Sequence, residues 1–167
     1  MYLKEIEIHN YRSISKIKLK VNKGKMTVIC GANNVGKTNL LRALDLFFSL
    51  DLKKFDVTRD IPYQIAEGSR GQGYKTKIIG KFCGAKEEKI IIEAQFLNRK
   101  NSSNILVLSG TKNKVVMKES EVKKFLREFK FIFIESSNVD LSKKISELVN
   151  DEVLLTVDHL RRKKLIL

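Results

Sequence analysis

The segment GANNVGKT, from Gly31 to Thr38, fits the pattern G-x-x-x-x-G-K-[ST] of a phosphate-binding P-loop. A short apolar run rich in β-forming residues, Lys25 to Cys30, precedes it. The residues from Lys37 to about Leu50 carry apolar side chains at helical spacing. The sequence therefore predicts a strand, a glycine loop and a helix in that order. Such an order surrounds a phosphate group with backbone N–H groups and a helix N-terminus.

Each residue type in the loop has a physical role in holding phosphate. Glycine at positions 31 and 36 allows backbone angles barred to other residues and a close approach of the ligand. Lys37, the catalytic candidate, would reach the β- and γ-phosphates, and the Thr38 hydroxyl would ligate Mg²⁺. A chance match in a glycine turn is disfavoured by the strand and helix on either side. The nucleotide-binding candidates of this segment are Gly31, Asn33, Asn34, Val35, Gly36, Lys37, Thr38 and Asn39.

Length and composition indicate one globular domain. The chain has 167 residues, of which 43% are hydrophobic, enough for a core of its own. The two cysteines, Cys30 and Cys83, suit a reducing compartment, and we expect a cytoplasmic protein. No apolar run approaches the roughly 20 residues of a membrane span. The N-terminus has no signal-peptide core, and we expect no membrane partner.

The charge of the chain is strongly positive. Its 33 lysines and arginines outnumber 19 acidic residues, which gives a net charge of +14. A polyanion such as DNA or RNA is the partner that this charge favours. The alternative is a lysine-rich protein from an AT-rich genome, whose charge serves only solubility. No zinc spacing or aromatic-basic motif decides between the two.

The pattern of apolar and turn-forming residues along the sequence defines three segments, residues 1–50, 75–118 and 119–167. In the first, Tyr2 to His9 and Ile14 to Val21 alternate as strands with one buried face, and Met26 to Cys30 is predicted to fold back as a third strand. The second reads as an antiparallel meander, and the third as a helix, a strand buried on both faces and a further helix. The elements predicted in these later segments are strands Lys75–Cys83, Lys89–Leu97, Ile105–Leu108 and Val115–Met117, helix Glu119–Phe129, strand Phe131–Ile134, helix Leu141–Val149 and a basic cluster at Arg161–Lys164.

Three segments resemble the SMC/RecF/OLD group of ATPases, the ABC-type head ATPases of DNA repair, chromosome maintenance and phage defence. LKEIEIHNYRS, from Leu3 to Ser13, is an amphipathic strand that ends in Asn-Tyr-Arg. GANNVGKTNLLRAL, from Gly31 to Leu44, has the asparagines typical of the group. FIFIESSNVD, from Phe131 to Asp140, is similar to the strand and loop that follow the antiparallel subdomain. The resemblance implies an α/β fold, the N-terminal lobe of an ABC-type P-loop NTPase head with an antiparallel β subdomain.

The resemblance also implies roles for residues outside the loop. Arg12 matches the arginine that lies near the base or ribose of ATP, and we favour this role over the alternative of a surface arginine at a strand end. Asn138 lies where the group has a glutamine that contacts Mg²⁺. No glutamine is present between Ser136 and Asn138, and the asparagine amide offers the same donor and acceptor on a shorter stem.

The resemblance places the Walker B carboxylates and the signature motif in a C-terminal half. Leu108–Thr111 and Phe131–Glu135 are partial matches, but the residues after Thr111 read as a turn and a strand rather than a helix. We therefore expect half of an ATPase active site, carried by a segment of a longer protein and inactive alone. The complete head would be a homodimer that sandwiches ATP, hydrolyses it and binds DNA. The alternatives are a nucleotide-gated effector or transporter-type ATPase without nucleic-acid binding, and a compact self-sufficient ATPase.

Overall fold

The computed structural model describes residues 1–62, 74–84, 88–98 and 104–133. Several predictions fall on other parts of the chain and lie outside the described residues. They are Ile134 and Glu135, the metal candidate Asn138, helix Leu141–Val149 and the basic cluster Arg161–Lys164.

A six-stranded antiparallel sheet in the order β2-β1-β3-β4-β5-β6 forms the framework. Alternating apolar residues build it, with Ile6 and Ile8 of the first strand fully buried. The predicted strands between residues 75 and 117 are confirmed, and the third of them runs further than predicted. The strands are β1 (Tyr2–Tyr11), β2 (Ile14–Lys20), β3 (Tyr74–Cys83), β4 (Lys89–Asn98), β5 (Asn104–Lys112) and β6 (Val115–Met117).

Three α-helices and a 3₁₀ turn accompany the sheet among the described residues. They are α1 (Lys37–Ser49), the 3₁₀ turn (Leu52–Lys54), α2 (Val57–Asp60) and α3 (Glu119–Arg127). The apolar stripe of α1 is buried as its spacing predicts, with Leu40, Leu44 and Phe47 in the core. At the start of α3, the Glu121 carboxylate accepts the Lys118 backbone N–H at 2.7 Å. None of these helices combines the length and the apolar character that crossing a bilayer requires.

Two glycines let the helices approach the sheet closely. A Cβ at Gly80 of β3 would lie 2.7 Å from the Phe47 ring of α1, and one at Gly110 of β5 would lie 2.6 Å from a Val122 methyl of α3. The partial signature Leu108–Thr111 thus lies inside a strand, where its glycine makes room for a helix. As predicted, this segment does not open a helix.

The predicted third strand, Met26–Cys30, is wrong. These residues form no strand in the structure, and Met26 and Val28 are 88% and 73% exposed. The chain turns after β2, where Lys25 N–H donates to the Asn22 carbonyl at 3.2 Å, but it does not pair with β2. Apolar composition predicted a strand, whereas a strand also needs a neighbour for its backbone N–H and C=O groups.

The predicted strand Phe131–Ile134 is also wrong in its described part. Phe131, Ile132 and Phe133 lie outside any strand, and Ile132 is 44% exposed. Phe131 is held instead by its ring, which stacks on Phe48 of α1 with centroids 5.4 Å apart. Aromatic packing on a helix, rather than sheet pairing, explains its apolar character.

The face of the sheet away from α1 carries several cross-strand ion pairs. Glu5 lies between Lys81 at 2.7 Å and Lys18 at 3.1 Å. The hydrogen bond from Lys81 outweighs partial desolvation and, with Lys18, holds the pKa of Glu5 below its ordinary value. Similar pairs join Lys16 to Glu7 at 3.4 Å and Lys77 to Glu93 at 3.6 Å.

Candidate nucleotide-binding site

The loop between residues 31 and 36 passes directly into α1. Asn34 and Gly36 have φ angles of 64° and 99°, in the left-handed region that glycine adopts without strain and asparagine tolerates. Gly36 is the N-cap residue of α1, and no side chain caps that helix end. The first N–H groups of the helix therefore remain available to an anionic ligand.

The Lys37 ammonium group folds back over the loop. Its Nζ donates to the Gly31 carbonyl at 2.8 Å and to the Ala32 carbonyl at 2.5 Å. These contacts bring a positive charge to the side of the loop on which a phosphate would lie. The loop residues therefore fit a phosphate group, with a cation, a helix N-terminus and the Thr38 hydroxyl in one place.

An open cleft of about 530 Å³ lies against the loop. This volume falls within the range of small-molecule sites. No carboxylate is among its described lining residues, so no general base is present in this part of the site. The cleft is lined by Ser13, Asn33, Asn34, Gly36, Lys37, Thr38 and Asn39.

The structure brings most, but not all, of the predicted residues to this cleft. Gly31 contributes its carbonyl to Lys37 rather than a lining surface. The Val35 side chain is 61% exposed beside the loop. Arg12 does not line the cleft directly but contacts Asn39, which does: its Nη1 lies 3.4 Å from Asn39 Oδ1.

Ser13 is a cleft residue that the sequence did not single out. Its Oγ accepts a hydrogen bond from Asn39 Nδ2 at 2.9 Å. A Cβ at Gly36 would lie 2.9 Å from the same Oγ, so the turn between β1 and β2 packs directly on the start of α1. The only signal in the sequence was its position after Arg12 in the strand-end motif.

Asp60 is a second residue that the sequence did not single out. It is fully buried, and its Oδ1 accepts from Arg12 Nε at 2.7 Å and from Arg59 Nε at 2.9 Å. Its hydrogen bond raises the pKa of Arg59, and its negative charge adds to burial in raising the pKa of Tyr11. Asp60 lies between the first two segments that the sequence defined, residues 1–50 and 75–118, and no spacing links it to Arg12.

A family model described as an AAA ATPase domain matches residues 1–164 of the chain. The chain belongs to this family. Two relatives of this AAA ATPase domain are DNA replication and repair proteins RecF. The protein from Paenarthrobacter aurescens (strain TC1) is 36% identical over 62 residues, 37% of this chain and 15% of the relative. That from Microcystis aeruginosa (strain NIES-843) is 29% identical over 94 residues, 56% of this chain and 24% of the relative.

The AAA ATPase domain also resembles a solved structure of the recombination mediator protein RecF-ATPrS in the RecFOR pathway. The match has a TM-score of 0.46 and 22% identity, and it covers 73% of this chain and 29% of the other. The chain spans less than a quarter of the length of the two curated relatives.

The predicted membership of the SMC/RecF type of ABC head ATPases is confirmed by the family and its RecF relatives. The fold class is confirmed as well: the sheet, the phosphate loop and α1 form the N-terminal lobe of an α/β P-loop ATPase. Membership of an ATPase family supports ATP as the ligand of this domain.

Proposed function

We propose that this chain is the ATP-binding half of an ABC-type head that hydrolyses ATP as a complete homodimer and couples hydrolysis to DNA binding in the cytoplasm. The observation that carries the proposal is the composition of the cleft. Its described lining has a lysine, a threonine and backbone N–H groups for phosphate, but no carboxylate. Binding groups without a base are what one half of a shared active site provides.

The residues of the cleft have separate roles in this proposal. Lys37 and the loop amides hold the β- and γ-phosphates and stabilise the charge that develops on them. Thr38 offers a hydroxyl ligand for Mg²⁺, and Asn138, outside the described residues, is a second proposed ligand. Mg²⁺ supplies charge neutralisation between the phosphate oxygens. Arg12 contacts the base or the ribose.

Two exposed apolar segments support completion by another part of the protein. Met26 and Val28 lie immediately before the loop and are largely exposed, and Ile132 is exposed after α3. Large apolar side chains that are left exposed mark candidate interfaces. A C-terminal half that packs there would bring the Walker B carboxylates to the phosphates, and the signature motif would come from the second head of the dimer.

We expect residues 1–167 alone to bind ATP weakly and to release almost no phosphate. The phosphate contacts are present, but the described cleft has no group to activate the attacking water. Phosphate release from radiolabelled ATP measures turnover, with Lys37→Ala as the control that reveals contaminating ATPase. Turnover of about 1 per second, typical of complete phosphoryl-transfer enzymes, and its loss in Lys37→Ala would contradict the half-site proposal.

DNA binding is expected to weaken steeply with salt. The net charge of +14 would displace cations from the DNA, and each neutralised phosphate adds about 0.9 to the slope of log K against log salt. We expect affinity for a fluorescein-labelled duplex to fall at least about tenfold between ~50 and ~200 mM KCl. Fluorescence anisotropy measures it, with circular dichroism to show that the fold is unchanged by salt. Equal affinity across that range would remove the electrostatic basis for a DNA partner.

A further inference from the structure

We infer that Asp60 is a positioning residue of the ATP site, which holds Arg12 in the orientation that faces the nucleotide. The inference rests on the proposed function, because it concerns the same site. Asp60 itself does not line the cleft, and it acts through Arg12. Three features of the structure support this role: a two-point attachment of Arg12, the complete burial of Asp60, and a contact from Arg12 to Asn39 of the cleft.

Asp60 holds Arg12 by both its backbone and its side chain. The Arg12 N–H donates to the Asp60 carbonyl at 2.7 Å, and Arg12 Nε donates to Asp60 Oδ1 at 2.7 Å. Arg12 also has a φ of 52°, a left-handed conformation that side-chain-bearing residues disfavour. Such a conformation persists where its surroundings determine it, and it concentrates at functional sites.

Burial makes the Asp60 contact strong and directional. The Asp60 side chain is 0% exposed and that of Arg12 only 12%. A charge pair with little water around it is weakly screened, so the attraction between the two groups stays strong. Arg12 therefore cannot turn toward solvent without losing its principal partner.

Arg59 completes the environment of the carboxylate. Its Nε and Nη2 lie 2.9 Å from Asp60 Oδ1 and 3.2 Å from Oδ2, and the Asp56 backbone N–H donates to Oδ2 at 2.9 Å. Asp60 thus remains paired when Arg12 is substituted. This arrangement allows Arg12 to be removed without leaving a buried charge alone.

The contact continues from Arg12 to the first turn of α1, directly after the phosphate loop. Arg12 Nη1 lies 3.4 Å from Asn39 Oδ1, and Asn39 donates from Nδ2 to Ser13 Oγ at 2.9 Å. Asn39 follows Thr38 in the first turn of α1 and lines the cleft. Arg12 Nη1 therefore lies beside a residue of the cleft, while Nε is fixed on Asp60.

The test is a double-mutant cycle on ATP affinity, measured by isothermal titration calorimetry on the full chain. Asp60→Asn keeps the shape of the side chain and removes its charge. We expect it to weaken ATP binding about tenfold, which is ~1.4 kcal/mol. In an Arg12→Ala background, the same Asp60→Asn change is expected to have no further effect. An equal loss of ATP affinity in both backgrounds would show that Asp60 acts on the fold in general and would overturn the inference.

Asp56→Asn is the matched control. It makes the same chemical change at the start of the same short helix, where asparagine caps as well as aspartate. The Asp56 side chain contacts Thr58 and not Arg12, so ATP affinity is expected to stay at the unsubstituted value. A tenfold loss in this control would also overturn the inference.

A second measurement on the unsubstituted chain does not depend on the folding of a variant. The Arg12 Nε–H resonance in a ¹⁵N NMR spectrum is expected to exchange slowly with water and to shift when ATP is added, with its protection retained. Lost protection or no shift at saturating ATP would overturn the inference. ATP binding that Lys37→Ala weakens and Asp60→Asn does not would overturn it alone, whereas no ATP binding by the unsubstituted chain would overturn it together with the proposed function.

Discussion

Lys37→Ala is expected to weaken ATP binding roughly tenfold to a hundredfold, the value of one or two charge-assisted hydrogen bonds. The Lys37 ammonium lies against the loop and donates to the Gly31 and Ala32 carbonyls. When a phosphate binds, we expect the ammonium to donate to the charged phosphate oxygens in place of those carbonyls. Isothermal titration calorimetry with ATP measures the change. The loop N–H groups and the α1 N-terminus remain in the variant, so binding is weakened rather than abolished.

Lys53→Ala is the matched control for this substitution. Lys53 is an exposed lysine of the 3₁₀ turn and does not line the cleft, so the variant loses the same charge away from the site. We expect its ATP affinity to equal that of the unsubstituted chain. If the two variants bind ATP equally well, Lys37 is not a phosphate ligand and the loop assignment fails.

The loop and the strands were predictable because their signals are local. Alternation at Ile6 and Ile8 fixes which face of β1 is buried, and helical spacing from Leu40 to Phe47 does the same for α1. The left-handed conformation of Gly36 is inherent in the loop motif. Each of these features depends on neighbours within a few residues of sequence.

The features that were not predictable depend on partners distant in sequence. The strand Met26–Cys30 had the right composition but finds no partner among the described strands. The pairing of β1 with β3 and the contact of Arg12 with Asp60, 48 residues away, join segments with no shared motif. Pairing choice is decided by tertiary packing, so composition alone could not separate a paired strand from an exposed apolar segment.

Phe47→Ala is expected to lower the free energy of unfolding by about 3–5 kcal/mol. Phe47 is fully buried and lies over Gly80 of β3. The centroid of its ring is 5.3 Å from that of Phe48 and 6.5 Å from that of Phe82. Its removal leaves a cavity between α1 and the sheet, which rigid neighbours fill only in part. Urea unfolding followed by circular dichroism measures the change. Val116→Ala, at an exposed valine of β6, is the control and should change it by less than about 0.5 kcal/mol.

The reciprocal change tests whether the Phe47 ring is what requires glycine at position 80. Gly80→Ala alone is expected to be destabilising by about 1–3 kcal/mol, because the new methyl would meet the ring at 2.7 Å. In a Phe47→Leu background the shorter side chain removes that contact, so Gly80→Ala should lower the free energy of unfolding by a smaller amount. Some destabilisation should remain, because Phe82 also lies 2.9 Å from the added Cβ. Gly110→Ala, which meets Val122 under α3, shares no contact with Phe47 and should be equally destabilising in both backgrounds. If Gly80→Ala lowers the free energy of unfolding equally in both backgrounds, the requirement for glycine comes from Phe82 or from the strand itself. It would then not come from the packing of α1 on β3.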